Sequence, residues 1–220
     1  MTAAAEDQSL DDVRLRLAPL IADSAVFDGW SAEAVRQAAA SAGVDEDVAL
    51  YAFRGGAMEM IEAWIAAIDA AMAQALPAAE LTRLPIRERI RRLVQFRLDA
   101  IAGQREALAR ALSIMALPRN VGRAAKLGWR SADRMWRLAG DTATDYNHYS
   151  KRAILGAIYA ATLTVFANDE SEGRADTRAF LDRRIGEVMK FEKTKAQLLR
   201  PGEHQFSMAR FLGRLRYPAR

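Results

Sequence analysis

The chain has 220 residues, with 32 Lys and Arg against 28 Asp and Glu for a net charge of +4, and half of its residues are apolar. It contains no cysteine and two histidines, His148 and His204, which excludes a disulfide framework, thiolate zinc sites and cysteine nucleophiles. The charge is unevenly divided: residues 1–70 hold four Arg and no Lys against thirteen Asp and Glu, so the remainder carries the excess of positive charge. Ala, Leu, Arg, Glu and Met favour helix, and Val, Ile and Thr never alternate over a strand-length window, so the composition predicts an all-α protein. There is no N-terminal basic region followed by an apolar core, and no apolar run reaches the roughly 20 residues needed to span a bilayer. The sequence therefore predicts a soluble or peripheral protein of a reducing compartment, the cytoplasm.

Residues 1–9 are small and polar and read as a disordered start. Leu10, Val13, Leu17, Leu20 and Ile21 fall at helical spacing, predicting a helix to Ala25 that Phe27-Asp28-Gly29-Trp30 breaks. Ser31 is a good N-cap for a second helix ending at Gly43, and Asp45 for a short third one reaching Phe53. After the Arg54-Gly55-Gly56 turn, a long helix is expected over Ala57–Leu76, with Met60, Ile61, Trp64, Ile65 and Ile68 on one face. Pro77 and Pro85 bracket a linker. Further helices follow over Ile86–Ala102, with a row of arginines outward, then Gln104–Leu117 and Val121–Ala139. The helix of Asp145–Asn168 is apolar around much of its circumference, which predicts a central position. A ninth helix spans Ala175–Leu199, and Pro201-Gly202 then sets off a tail. The implied units are 1–55, 56–200 and 201–220.

The first three helices resemble the helix-turn-helix unit of TetR-type repressors, through Ala42-Gly43-Val44, the stop at Phe53 and the long fourth helix. A ligand-responsive regulator of that type is the alternative reading of function. DNA is held through cations and donors on phosphate, whereas the would-be recognition helix opens with Asp45-Glu46-Asp47. No nucleic-acid partner is expected.

The stretch GDTATDYNHYSKR, Gly140–Arg152, interrupts apolar helical sequence with a polar cluster. Asp145 and His148 could share a helix face as metal ligands do, but a carboxylate-bridged site needs several more Glu and His from other helices. A Ser-His-Asp arrangement lacks a nucleophile turn. No metal, cofactor or catalytic residue is expected. Instead Asp141 or Thr144 caps the helix, and Lys151 and Arg152 pair with acids one turn away. The rings, Asn147 and the two cations are then expected to face a partner. Trp129, Met135, Trp136, Tyr159, Leu163 and Phe166 could equally be plain core or line a pocket for an apolar ligand. In the tail, Phe206, Phe211, Leu212 and Leu215 can share a face, with Arg210, Arg214 and Arg216 around it. That pattern suits an anionic membrane surface.

ALSIMALPRN at 111–120, DRMWRLAGDTATDYNHYSKRAILGAIYAATL at 133–163 and FLDRRIGEVMK at 180–190 resemble the Coq-nine family of ubiquinone-biosynthesis accessory proteins. The likeness extends over FDGWS and GGAMEMIEAW near the start. It implies a TetR-like all-α fold without DNA binding, a homodimer, and an apolar pocket for an isoprenoid quinone or other lipid. It also implies a C-terminal amphipathic helix on the inner face of the cytoplasmic membrane, and assistance to the di-iron demethoxyubiquinone hydroxylase without catalysis. On that resemblance, Trp129, Trp136, Tyr146, Tyr159, Leu163 and Phe166 are the lipid contacts. Leu98, Met135, Asp145, Asn147, His148 and Tyr149 form a surface patch for the partner, and Phe206, Arg210, Phe211, Leu212, Arg214 and Leu215 meet the membrane. Many members carry Trp where this chain has His148, a smaller and titratable ring.

Overall fold

The computed structural model describes residues 9–144 and 146–198, with the side chains of all of these except 146, 147 and 189–198. Asp145 and the tail residues Phe206, Arg210, Phe211, Leu212, Arg214 and Leu215 lie outside the described residues, and so do the side chains of Tyr146 and Asn147. Every regular element among the described residues is helical.

Local signals set the first boundaries. In α1 (Leu10–Asp28) Ser9 and Asp12 form a reciprocal capping box, each side chain taking the other's backbone N–H. Val13, Leu17 and Ile21 form its buried stripe. The helix runs three residues past the expected Ala25, because Val26–Asp28 continue the ladder until Gly29 closes it on the Ala25 carbonyl. Ser31 caps α2 (Ala32–Ala42), and Gly43, at φ 64° and ψ 36°, makes the left-handed turn into α3 (Glu46–Ala52). Asp45 caps α3 through the Val48 N–H at 3.1 Å. α4 (Ala57–Ala75) buries Met60, Ile61, Trp64, Ile68 and Met72.

The expected linker between the two prolines holds a one-turn helix, α5 (Ala78–Leu81), with Leu81 buried. Next come α6 (Ile86–Ala100), α7 (Arg105–Met115), α8 (Val121–Leu138) and α9 (Tyr146–Asn168), then a 3-10 turn at Glu172–Arg174 and α10 (Ala175–Leu198). α1 packs on α2, α3, α4 and α7, while α4 and α6 to α10 form the larger bundle. One core runs through both parts. Trp30 lies 5.2 Å from Trp64, centroid to centroid, and donates its indole N–H to the Ala107 carbonyl at 3.0 Å.

Two expectations fail on burial. α9 is not central: Arg152, Leu155, Tyr159, Thr162 and Phe166 form its buried row, while Ala153, Ala157, Ala160 and Ala161 are exposed. The helix lies on the flank of the bundle against α8 and α10. Alanine on its outer side presents little apolar area, so burial on that side adds little. On α6 the arginines are not all outward, since Arg97 is only 1% exposed.

Candidate functional site

Between α4, α6, α7, α8 and α9 lies a cavity of about 540 Å³. Its deep wall is buried and apolar, built from Ile61, Trp64, Ile68, Ile101, Leu108 and Leu127. Its other side is open. Val121, Ala125 and Trp129 of α8 and Ala153 and Ala160 of α9 both line the cavity and are exposed, so the mouth is the seam between these two helices. Small residues make that seam: a Cβ on Gly156 would sit 3.8 Å from the Gly128 carbonyl oxygen and 3.9 Å from the Ala132 Cβ.

Two buried arginines interrupt the apolar wall. Arg97 donates to the Asp69 carboxylate of α4 and to the Ser131 hydroxyl of α8 at 3.1 Å, and its guanidinium lies 4.9 Å from the Tyr159 ring centroid. Burial pushes the Asp69 carboxyl up, against the pull of Arg97. The Arg97 Nε–H is buried and has no partner. Arg152 donates from Nε to Asp133 at 2.6 Å, and from Nη1 to Asp141 at 3.0 Å and to the His148 carbonyl at 3.1 Å.

Arg152 ties the cavity to the α8–α9 junction. Gly140 takes φ 86°, which an L side chain rarely adopts, and a Cβ there would also press on Arg89 Nη1 at 3.3 Å. Arg89 in turn donates to the carbonyls of Leu84, Ala139 and Thr82, at 2.7, 2.7 and 2.8 Å. Beyond the turn, Lys151 Nζ meets Asp141 at 2.7 Å, and Trp136 donates its indole N–H to the Lys151 carbonyl at 3.0 Å. Burial opposes the Asp141 charge, but hydrogen bonds from Lys151 and Arg152 outweigh it and hold the carboxyl below its ordinary value. His148 Nδ1 lies 2.9 Å from the Ala143 carbonyl; that oxygen only accepts, so Nδ1 carries a hydrogen.

The expected pairing of Lys151 and Arg152 with acids one turn away is therefore corrected. Their partners are Asp141 before the helix and Asp133 on α8, and Arg152, at 2% exposure, faces inward instead of toward a partner. The same applies to Leu98 and Met135, which are fully buried core side chains and not members of a surface patch. Tyr149, 62% exposed, is on the surface; it lies 6.1 Å from the half-exposed Trp129 ring at the mouth and 5.1 Å edge-on to His148.

Of the six lipid candidates, Trp129, Tyr159 and Leu163 line the cavity. Trp136 does not; it lines a separate groove of about 360 Å³ with Ile86, Ile90, Ile154, Ile158 and Ile185. Phe166 lies lower on the buried row of α9, beneath the Arg174 guanidinium at 4.5 Å. Arg97 was missed as a site residue, and Arg152 was expected on the partner face instead of at the cavity. Their signal was spacing, since Ile90, Val94, Arg97 and Ile101 share one helical stripe, as do Arg152, Leu155, Tyr159 and Phe166.

Comparison with known proteins agrees with this architecture. The COQ9 family model matches residues 121–192, which hold α8, the junction and α9. The mitochondrial ubiquinone biosynthesis protein COQ9 of Rattus norvegicus is 34% identical over 182 residues, 80% of this chain and 58% of the relative. That of Homo sapiens is 33% identical over 182 residues, 80% of this chain and 57% of the relative. The chain thus spans somewhat over half the length of these curated relatives. The crystal structure of a TetR transcriptional regulator from Nitrosomonas europaea superposes with a TM-score of 0.62 at 25% identity, covering 82% of this chain and 98% of that one. On a TetR-like all-α fold, this chain thus resembles the COQ9 family through α8, the junction and α9, and mitochondrial COQ9 proteins over 80% of its length.

Proposed function

We propose that the protein is a lipid-binding accessory factor of ubiquinone biosynthesis. It draws a polyprenyl quinone precursor from a membrane into the α8–α9 cavity and presents it to the di-iron demethoxyubiquinone hydroxylase. The observation that carries this reading is the cavity itself: about 540 Å³, apolar at depth, open along one seam and rimmed by Trp129. That volume falls within the range of about 300–1,000 Å³ common for small-molecule sites. A polyprenyl chain is too apolar to leave a bilayer unaided, so a carrier must offer it an alternative apolar surface. The names of the relatives place them in ubiquinone biosynthesis, which supports the choice of lipid.

The protein carries its cargo without transforming it. The charged groups at the cavity are tied into ion pairs, and the protein works without metal or cofactor. It acts as a homodimer, peripherally on the inner face of the cytoplasmic membrane, with the tail at 201–220 against the lipid surface. Among the described residues no helix is long and apolar enough to cross a membrane. The exposed ring of Tyr149, beside the mouth, serves the hydroxylase contact.

The structural neighbour is a transcriptional regulator, which favours a second reading as a DNA-binding protein. Asp45, Glu46 and Asp47 at the start of α3 are all exposed, however, and would face phosphates. Native mass spectrometry of the purified full chain, followed by lipid extraction, tests the first reading. A co-purifying isoprenoid quinone supports it. Protein free of lipid that shifts genomic fragments in a gel supports the regulator.

A further inference from the structure

Among the described residues, nothing covers the outer side of α8, and two stripes run along it. Arg123, Lys126, Arg130, Arg134 and Arg137 recur at steps of three and four residues, so they form one cationic ridge, and all five are exposed. Val121, Ala125 and Trp129 recur at steps of four and form an exposed apolar ridge on the side of the cavity mouth. Leu117, in the turn before the helix, is exposed as well.

The cationic ridge is only partly neutralised by its neighbours. Arg123 pairs with Glu62 of α4, and Arg137 with Asp133, which it shares with Arg152. Arg130 and Arg134 pull on the Asp69 carboxylate through space without touching it, and Arg97 already holds that carboxylate. Lys126, Arg130 and Arg134 form no ion pair among the described residues. Positive charge therefore stands in solvent beside exposed apolar side chains.

That combination fits an anionic lipid surface, where phosphates meet the cations while rings and branched chains enter the acyl boundary. A nucleic acid would use the cations and leave Val121 and Trp129 in water. Trp is also the side chain that settles at a lipid–water boundary.

We propose that the outer face of α8 is a docking surface for an anionic membrane, separate from the tail at 201–220, and that it lays the α8–α9 mouth against the lipid. Val121 and Trp129 enter the acyl boundary, and Lys126, Arg130 and Arg134 reach phosphates from the flank. Cargo then passes through the seam without crossing water. This last step rests on the cavity being the lipid site; the docking itself does not.

The test is binding of the full chain to vesicles with brominated acyl chains, which quench tryptophan at short range. One set is phosphatidylcholine alone and the other an equal mixture with phosphatidylglycerol. The expected result is binding to the mixture with loss of Trp129 emission, and little binding to phosphatidylcholine. Trp129→Phe should bind comparably and lose the quenched component. A cation near an anionic surface contributes about fivefold in partitioning, so Lys126→Gln, Arg130→Gln and Arg134→Gln together should weaken binding at least about tenfold. Gly122→Glu guards against misfolding, because the site is exposed with open space at its Cβ and an acid suits the first helical turn. Its charge should repel phosphate and weaken binding several-fold.

Native-like binding by both variants, or binding without quenching of Trp129, means that the tail alone holds the membrane and overturns the proposal. So does a triple variant that light scattering shows to have become monomeric, since the face would then join two copies. Binding to a duplex oligonucleotide in place of the anionic vesicles overturns it too. Release by high salt should restore the emission. Emission that stays quenched after release places an acyl chain inside the cavity, which upholds the cavity and overturns the surface assignment of Trp129. Full recovery, in protein that yields no lipid on extraction, upholds the docking and removes the cavity reading.

Discussion

Arg152 on α9 and Asp141 in the loop before it meet at 3.0 Å with only 2% and 6% of their side chains exposed. Such a buried pair is held in place by its completeness. Replacing Arg152 by Ala would take from Asp141 and Asp133 the cation they share while leaving each its second one, Lys151 and Arg137, a loss of about 2–3 kcal/mol, below that of a buried charge left wholly unpaired. The expected outcome is a large fall in the urea midpoint at unchanged m-value. Replacing the exposed Arg92, which pairs with Glu88 on the surface of α6, is the control and should change little.

The same aspartate predicts acid sensitivity. Its folded carboxyl lies below the ordinary 3.8, because Lys151 and Arg152 outweigh the effect of burial. A depressed folded value means that the pair's contribution is complete above about pH 4 and is lost as pH falls through the lower folded value. Unfolding free energy measured between about pH 5 and pH 2 should therefore decline, and Asp141→Asn should flatten part of that decline.

Asp169 holds the start of α10. Its carboxylate accepts from the backbone and hydroxyl of Ser171, at 2.9 and 2.5 Å, and from those of Thr177, at 2.8 and 2.5 Å. The Ser171 and Thr177 hydrogen bonds hold its carboxyl well below the usual range. Asp169→Ala strands the buried Thr177 donors and should cost about 1–3 kcal/mol. Hydrogen exchange would show the loss as faster exchange in the first turns of α10.

Tyr149 separates surface function from folding. Because its ring is largely exposed, Tyr149→Ala should alter stability by no more than about 0.5 kcal/mol. Ubiquinone production in a strain carrying this variant should nonetheless fall. A variant that loses its helical circular dichroism instead would show that the ring is structural.

Blocking the seam tests the entrance. Ala160 lines the cavity at its exposed edge, so Ala160→Trp should fill the opening without disturbing the deep wall. Quinone binding should drop at least tenfold while the thermal midpoint stays within a few degrees.

Helix boundaries were legible where a cap residue announced them, at Ser31, Gly43 and Asp45. The junction motif pointed to the right stretch, because a polar cluster between two apolar helices must serve either a turn or a surface. What it concealed was direction. Lys151 and Arg152 are neighbours in sequence, and only the rotation of about 100° per residue around a helix separates a half-exposed lysine from a buried arginine. Arg97 was hidden among the other arginines of α6, where composition suggests a solvated face and the stripe through Ile90, Val94 and Ile101 indicates the opposite. Leu98 and Met135 show the converse error, since a resemblance in sequence carries no measure of depth.

Arg97 and Arg152 also bear on how a hollow interior persists. Dispersion between apolar side chains has no preferred direction, and a gap walled by it alone tends to close. Arg97 spans α6 to α4 and α8, while Arg152 spans α9 to α8 and the preceding loop. Each of these ties has a fixed length and angle and resists compression as a rafter does. The chamber is thus braced by its most polar members, and an engineer replacing them with leucine would shrink the room along with the charge.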